Sequence, residues 1–289
     1  ALDLQFINAQ GDKAAYTPEG AVFSGTLNNG MSYCAVMAVE AKGGIVSSNS
    51  LATKVDGASE VVVYIACGTD FDPSRDNHLA GDVVALEKSL RNAVAVAKTK
   101  GFDAVRDNHQ ADYVSLFGRC DFELHGAVNS VPTNLLLQRS DAASTKMVDM
   151  LIFQYGRYLT IASSRGIAVP SNLQGIWNKD GNAQSDAVWA SDIHSNVNVQ
   201  MNYWPSEVTG LQDCNESYFR YIEFLSRHGV ATAKEMYGCR GWVAHTITTP
   251  WGFTSPGESP SWGAFVTAGA WCCTHFFEHA RFANSIEVL

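Results

Sequence analysis

The residues best equipped for chemistry form two amide-rich blocks, Ser171-Asn172-Leu173-Gln174-Gly175-Ile176-Trp177-Asn178 and His194-Ser195-Asn196-Val197-Asn198-Val199-Gln200-Met201-Asn202-Tyr203-Trp204-Pro205. Asn, Gln and His stand here among aromatics at a density unusual for a buried core. Asn196 and Asn198 are two apart, so an extended backbone would turn both carboxamides to one side. Two convergent amides can hold a water or a sugar hydroxyl in fixed orientation. Neither is a base, because an amide has no useful proton affinity near neutral pH. A loop whose Asn side chains satisfy backbone groups explains the same spacing equally well.

Three carboxylates lie near these blocks. Asp192 is four residues before Asn196, and Glu258 sits in the loop Thr254-Ser255-Pro256-Gly257-Glu258-Ser259-Pro260. Glu207, two residues after Pro205, reads as part of a first helical turn, where the helix dipole favours negative charge. His245, after Gly241-Trp242-Val243-Ala244, is either a pocket residue or a core histidine with a satisfied partner. Trp177, Trp204 and Trp251 could stack on an apolar sugar face. His275-Phe276-Phe277-Glu278-His279 matches the zinc motif H-x-x-E-H, but its phenylalanines and the nearby Trp271 suit a packed helix better. No metal is expected.

The elements that must position these residues change character along the chain. Met31, Tyr33, Ala35, Met37 and Val39 alternate as in a half-buried strand, and Val61 to Ala66 is a short β-branched run. Gly43-Gly44 and Asp56-Gly57 mark turns between strands. Near Gly81 the period becomes helical: Val83, Leu86, Leu90, Val94 and Ala97 form one stripe. Phe102, Val105, His109, Tyr113 and Leu116 form another. Cys120 to Leu124 reads as a short extended piece. Beyond Ser140, helices are predicted over 144–164, 213–237 and 264–284. Asp213 or Asn215 would cap the second, and Gly238 would close it. All seven tryptophans fall between Trp177 and Trp271, which supports a boundary near residue 140.

The chain has 289 residues, 46% hydrophobic and 17% charged, with a net charge of −9. Acidity of this kind argues against nucleic acid as a partner, because neutralising phosphates needs clustered Lys and Arg. The longest apolar run, Val61 to Cys67, is too short to span a bilayer, so no membrane insertion is expected. The seven cysteines show no zinc-like spacing and do not read as a disulfide framework. Ala1-Leu2-Asp3-Leu4-Gln5-Phe6 reads as the interior of a longer protein.

Several of these strings resemble glycoside hydrolase family 95, the α-L-fucosidase and α-L-galactosidase family. They are SNLQGIWN, HxNxNxQMNYWPxEVTGL, AxxMYGxRGWVAH and GAWxCTHxxEHxRF, preceded by His109-x3-Tyr113-x2-Leu116-Phe117. The likeness is strongest from Gln154 to Phe282. It implies the C-terminal part of a β-supersandwich over 1–76, a helical linker over 77–139, and the N-terminal part of an (α/α)6 barrel over 140–289. It further implies hydrolysis of terminal α-L-fucosides, commonly α-1,2-linked, with inversion. A fucosylated oligosaccharide or glycan would be the partner, and no cofactor is needed. By resemblance, Asn196 and Asn198 assist a carboxylate base in activating water, and His194 stands beside the sugar's C5 substituent, as in a fucosidase rather than an L-galactosidase. Trp177, Trp204, His245 and Trp251 are the remaining expected substrate contacts.

An inverting hydrolase needs an acid and a base whose carboxyls lie about 6.5–9.5 Å apart. By resemblance both are expected beyond Leu289, which makes the chain an incomplete portion of the enzyme. The Thr246-Ile247-Thr248-Thr249-Pro250-Trp251 run departs from the His-Asn-Thr-Asp-like run that many relatives carry after this histidine, leaving the sugar itself open. An α-L-galactosidase, a related inverting phosphorylase and a non-catalytic glycan-binding module are the alternatives. The family and its glycans imply a periplasmic or extracellular setting.

Overall fold

The computed structural model describes residues 1–7, 11, 13–128, 130–167, 169–177, 191–257 and 259–287. It combines antiparallel sheets with helices and falls into two compact units, the chain dividing between residues 111 and 112.

The first unit holds seven strands: β1 (Leu2–Leu4), β2 (Ala15–Thr17), β3 (Gly20–Thr26), β4 (Ser32–Lys42), β5 (Ile45–Ser48), β6 (Thr53–Asp56) and β7 (Glu60–Thr69). Two antiparallel sheets result, in the orders β1-β6-β5 and β2-β3-β4-β7. Alternation in β4 explains how they are covered. Met37 and Val39 pack with Val55 of β6 and Val46 of β5, so this side faces the smaller sheet. Cys34 and Val36 point the other way, toward Leu86, Leu90, Val94 and Ala97. These four belong to α1 (Val83–Lys100), whose Asp82 cap accepts a hydrogen bond from the Ala85 N–H at 2.8 Å. The predicted stripe is therefore the seam by which α1 closes the second face of the sheet. The division between units falls inside α2 (Phe102–Phe117), within the segment read from sequence as a linker.

The second unit is mainly helical. Its elements are α3 (Thr133–Leu136), α4 (Ala142–Ser164), β8 (Ile193–His194), α5 (Asn198–Val208), α6 (Asn215–Tyr237), β9 (Ile247–Thr248), α7 (Pro260–Gly263) and α8 (Ala268–Ala283). Cys120–Leu124 pairs with no described strand. The nearby chain is instead held by Arg157 of α4, whose guanidinium donates to the carbonyls of Leu116, Phe117 and Cys120 at 3.2, 2.8 and 2.8 Å. One buried cation thus satisfies acceptors left over where α2 ends.

The cap expected for α6 is not formed: Cys214 occupies that position and supplies no side-chain bond. Asp213 pairs with Arg119 at 3.0 Å, and the Asn215 amide is engaged with Ser206 and Glu207. Tertiary partners outcompeted the local cap. Gly238 ends α6 in the left-handed conformation, as expected, at φ 62°.

The core of this unit joins Ile193, Val199, Tyr203, Tyr218, Tyr221, Ile222, Phe224, Leu225 and Cys272. It binds β8, α5, α6 and α8 together behind the amide-rich segment.

Candidate active site

Helix α5 is where sequence and structure part. The stretch from Asn198 to Val208 is helical, not extended, and its buried stripe is Val199, Gln200, Tyr203, Ser206 and Glu207. Extended period-two spacing therefore does not apply to Asn196 and Asn198. Asn196 lies in a turn, Asn198 opens the helix, and Val197 between them has φ 78° and ψ −34°. A β-branched residue rarely adopts positive φ, and the cost is of order 1–3 kcal/mol.

The surroundings over-determine that conformation. The Ser195 N–H donates to the Thr246 carbonyl at 2.7 Å, and the Met201 N–H donates to the Val197 carbonyl at 2.7 Å. The fully buried Gln200 side chain donates to the Ser195 carbonyl at 2.9 Å. Its own carbonyl oxygen finds no described partner. Upstream, β8 pairs with β9 through Ile193↔Thr248 and His194↔Ile247. The turn is thus clamped from both sides.

Asp192, Ile193 and His194 do alternate. Ile193 is 1% exposed and enters the core, while Asp192 and His194 meet: His194 Nδ1 lies 3.3 and 3.1 Å from the two carboxylate oxygens. Burial pushes the Asp192 carboxyl above its ordinary value, against the downward pull of His194.

Most polar side chains of the two blocks are spent on the protein. Asn202 donates to the carbonyls of Ser171 and Asn172 at 3.4 and 3.3 Å. Asn172 accepts from the Gln174 N–H at 2.7 Å, and Gln174 accepts from Ser191. The buried Tyr203 hydroxyl accepts from the Ser171 N–H and bonds the Ser164 hydroxyl, both at 2.9 Å. The Leu173 N–H reaches the Asp192 carbonyl at 3.2 Å, tying the first block to the second. The carboxamides of Asn196 and Asn198, by contrast, make no hydrogen bond to any described residue. Asn196 is exposed and Asn198 half-buried. Among the described residues of the two blocks, these are the carboxamides that bond nothing else in the protein.

His245, which the sequence left open between pocket and core, lies in the core of this unit. It is fully buried; Nδ1 donates to the Thr254 carbonyl at 2.7 Å and Nε2 accepts from the Tyr237 hydroxyl at 2.7 Å. Both ring nitrogens are used. The expected place of Glu207 in a first helical turn is corrected: it is the penultimate residue of α5. Pro205 sits inside the helix instead of opening one. Glu207 Oε1 accepts from His279 Nδ1 at 2.6 Å and from Asn215 at 2.5 Å, contacts that offset an unfavourable place at the negative helix end. Glu258 and Asn178 lie outside the described residues.

Trp177 is 42% exposed and lines a cavity of about 570 Å³ with Asn172, Gln174, Met201, Asn202 and Pro205. Its ring folds over Gly175, where a Cβ would stand 2.6 Å from it. Only Trp177 among the expected site residues borders this cavity. Trp204 is half-exposed on α5, and Trp251 lies half-buried just beyond β9. Asn198 and Asn202, four apart on α5, share a helix stripe, so the cavity's Asn202 edge runs along the stripe that ends at the turn.

The two histidines of H-x-x-E-H are each bonded to a different group of α5. His275 Nε2 donates to the Gln200 carbonyl at 3.1 Å while His279 faces Glu207. Among the described residues no group of three or more His, Cys, Asp or Glu could hold a metal. Among them, too, no helix is long and apolar enough to cross a membrane.

Residues 101–289 match the model of the glycosyl hydrolase family 95 catalytic domain. The chain is 31% identical over 271 residues to alpha-L-fucosidase 2 of Arabidopsis thaliana, covering 91% of this chain and 32% of that protein. It is 33% identical over 262 residues to the probable alpha-fucosidase A of Aspergillus oryzae, covering 83% and 34%. It therefore spans about a third of the length of the curated relatives it matches. A solved human-microbiome structure named as a kojibiose phosphorylase shares the fold over 96% of this chain and 33% of its own, with a TM-score of 0.61 at 11% identity.

Proposed function

The chain belongs to glycosyl hydrolase family 95, and on that premise we propose that it forms part of an enzyme releasing terminal α-L-fucose, α-1,2-linked, from glycans with inversion. The observation that carries the reading is the pair of unspent carboxamides. Asn196 and Asn198 flank a strained, clamped residue, while neighbouring amides are consumed by backbone groups. Neutral amides so held can orient a water toward an anomeric carbon without competing for its proton. Orientation of this kind supplies the proximity part of catalysis. Two relatives named as fucosidases support the choice of sugar.

His194 would stand beside the sugar, and Trp177, Trp204 and Trp251 would offer it aromatic faces. Asp192 and Glu207 are committed to His194 and His279, so the proposal assigns this chain the water-orienting role and not the proton transfers. The acid and base would come from other parts of the whole protein, of whose curated relatives this chain spans about a third. In the same reading, the two sheets are part of a β-supersandwich, and α4, α5, α6 and α8 begin an (α/α)6 barrel. The setting would be periplasmic or extracellular, with a fucosylated oligosaccharide as substrate and acid–base chemistry that calls for no cofactor.

The test is proton NMR of fucose freshly released from 2′-fucosyllactose by the full-length protein. The β-anomer should appear first and then mutarotate. Initial α-anomer, or no fucose released, contradicts the proposal.

A further inference from the structure

We propose that Asp192 is a positioning residue that fixes the tautomer and ring orientation of His194, so that His194 Nε2 presents its lone pair to a sugar hydroxyl. The inference rests on the reading above, in which His194 borders the bound sugar, and it adds a residue which that reading does not use.

The geometry is local and specific. Asp192 and His194 are two apart on a strand-like segment, which turns both side chains to one face while Ile193 anchors the backbone from the other. Both carboxylate oxygens lie within 3.3 Å of Nδ1. A carboxylate can only accept, so Nδ1 carries the proton, and neutral imidazole then keeps Nε2 as its acceptor. Nε2 bonds no described residue.

The Asp192 side chain is only 10% exposed, against 21% for His194. The carboxylate therefore sits behind the imidazole, without the access a substrate contact would require. Its carbonyl is held by the Leu173 N–H at 3.2 Å. Asp192 is thus fixed by the first amide block and in turn fixes the entrance to the second. Without an acceptor behind Nδ1, the imidazole can take the opposite tautomer, offer a proton where the sugar needs a lone pair, and rotate about χ2.

A double-mutant cycle on 2′-fucosyllactose with the full-length protein decides it, because a merely structural aspartate costs the same in either background. Asp192→Ala should lower kcat/KM about tenfold, mainly through KM, yet change it by less than about twofold when His194 is already Ala. Asp192→Asn, whose amide NH2 can donate to Nδ1 and fix the opposite tautomer, should recover little of the loss. If Asp192→Ala does not fold, Asp192→Ser, too short to reach Nδ1, takes its place in the cycle.

Equal losses in both backgrounds would overturn the positioning role alone. So would an Asn variant as active as the parent. If His194→Ala itself leaves kcat/KM unchanged, the histidine–sugar contact fails first, and the inference falls with it.

Discussion

Two amide-rich stretches of nearly the same composition behave oppositely. In the 171–175 loop and along the buried side of α5, the polar groups of Asn172, Gln174, Gln200, Asn202 and Tyr203 are bonded to the protein. In the turn at 196–198 the amides bond nothing described, and the backbone between them is strained at Val197. Residue type alone does not separate the two stretches; their hydrogen bonds do. A buried polar group without a partner costs about 1–3 kcal/mol, so the described scaffold amides are paired at one end at least, with Gln200 Oε1 left over. A group that meets ligand is left unpaired where solvent can reach it.

Substitutions should separate the two stretches by what they damage. The largest effect belongs to the turn: Asn196→Ala or Asn198→Ala should lower kcat about 100-fold or more in the full-length protein. KM should move little, and Tm should shift by less than about 2 °C. An unchanged kcat in either variant removes the water-orienting role. Next comes the scaffold. Tyr203→Phe deletes the acceptor of the buried Ser171 N–H and should cost ~1–3 kcal/mol in chemical denaturation. The expected kcat stays near wild type. A variant as stable as the parent would show that the hydroxyl cluster does not hold the blocks together.

The smallest effect is a pH dependence. Burial holds His275 below its ordinary value of 6.5, against the pull of the Gln200 and Cys272 carbonyls and of Glu207 and Glu278. The unfolded chain then binds the extra proton first. The stability owed to neutral His275 is complete above about pH 6.5 and is lost as pH falls through the depressed folded value. Thermal unfolding between pH 7.5 and 5 should show a gentler decline in His275→Gln, which can still donate to the Gln200 carbonyl. Identical slopes for parent and variant would remove His275 from the account.

Much of this architecture was legible in the residues. The stripe from Val83 to Ala97 became α1 because its apolar side had a whole sheet face to cover. The predicted helix over 144–164 is α4, and 213–237 is α6 with a short 3-10 turn before it. The last predicted helix, 264–284, begins later, at Ala268, after the separate short turn of α7. Helix α5 was hidden because its buried stripe mixes Val199 and Tyr203 with Gln200, Ser206 and Glu207, so no apolar period shows, and Pro205 reads as a stop. The same hidden helix removes the extended backbone on which the spacing argument for Asn196 and Asn198 depended.

His245 shows the other limit. A histidine after an apolar run is compatible with pocket and core alike, and only its partners Thr254 and Tyr237 decide between them. The pairing of Asp192 with His194, on the other hand, had a readable signal: Asp-x-His at strand spacing with an apolar residue between. The buried bonds of Arg157 to the end of α2 had none, since they join residues about forty positions apart.

The most direct test of the contrast between spent and unspent amides sets Asn198→Ala beside Asn202→Ala, two substitutions one helical turn apart on α5. Turnover of 2′-fucosyllactose and Tm would be measured for both in the full-length protein. The account predicts that Asn198→Ala loses turnover and keeps its Tm, while Asn202→Ala, which frees the Ser171 and Asn172 carbonyls, loses stability first. If Asn198→Ala melts early but still turns over substrate at the parent rate, the turn is scaffold, and the central claim is wrong.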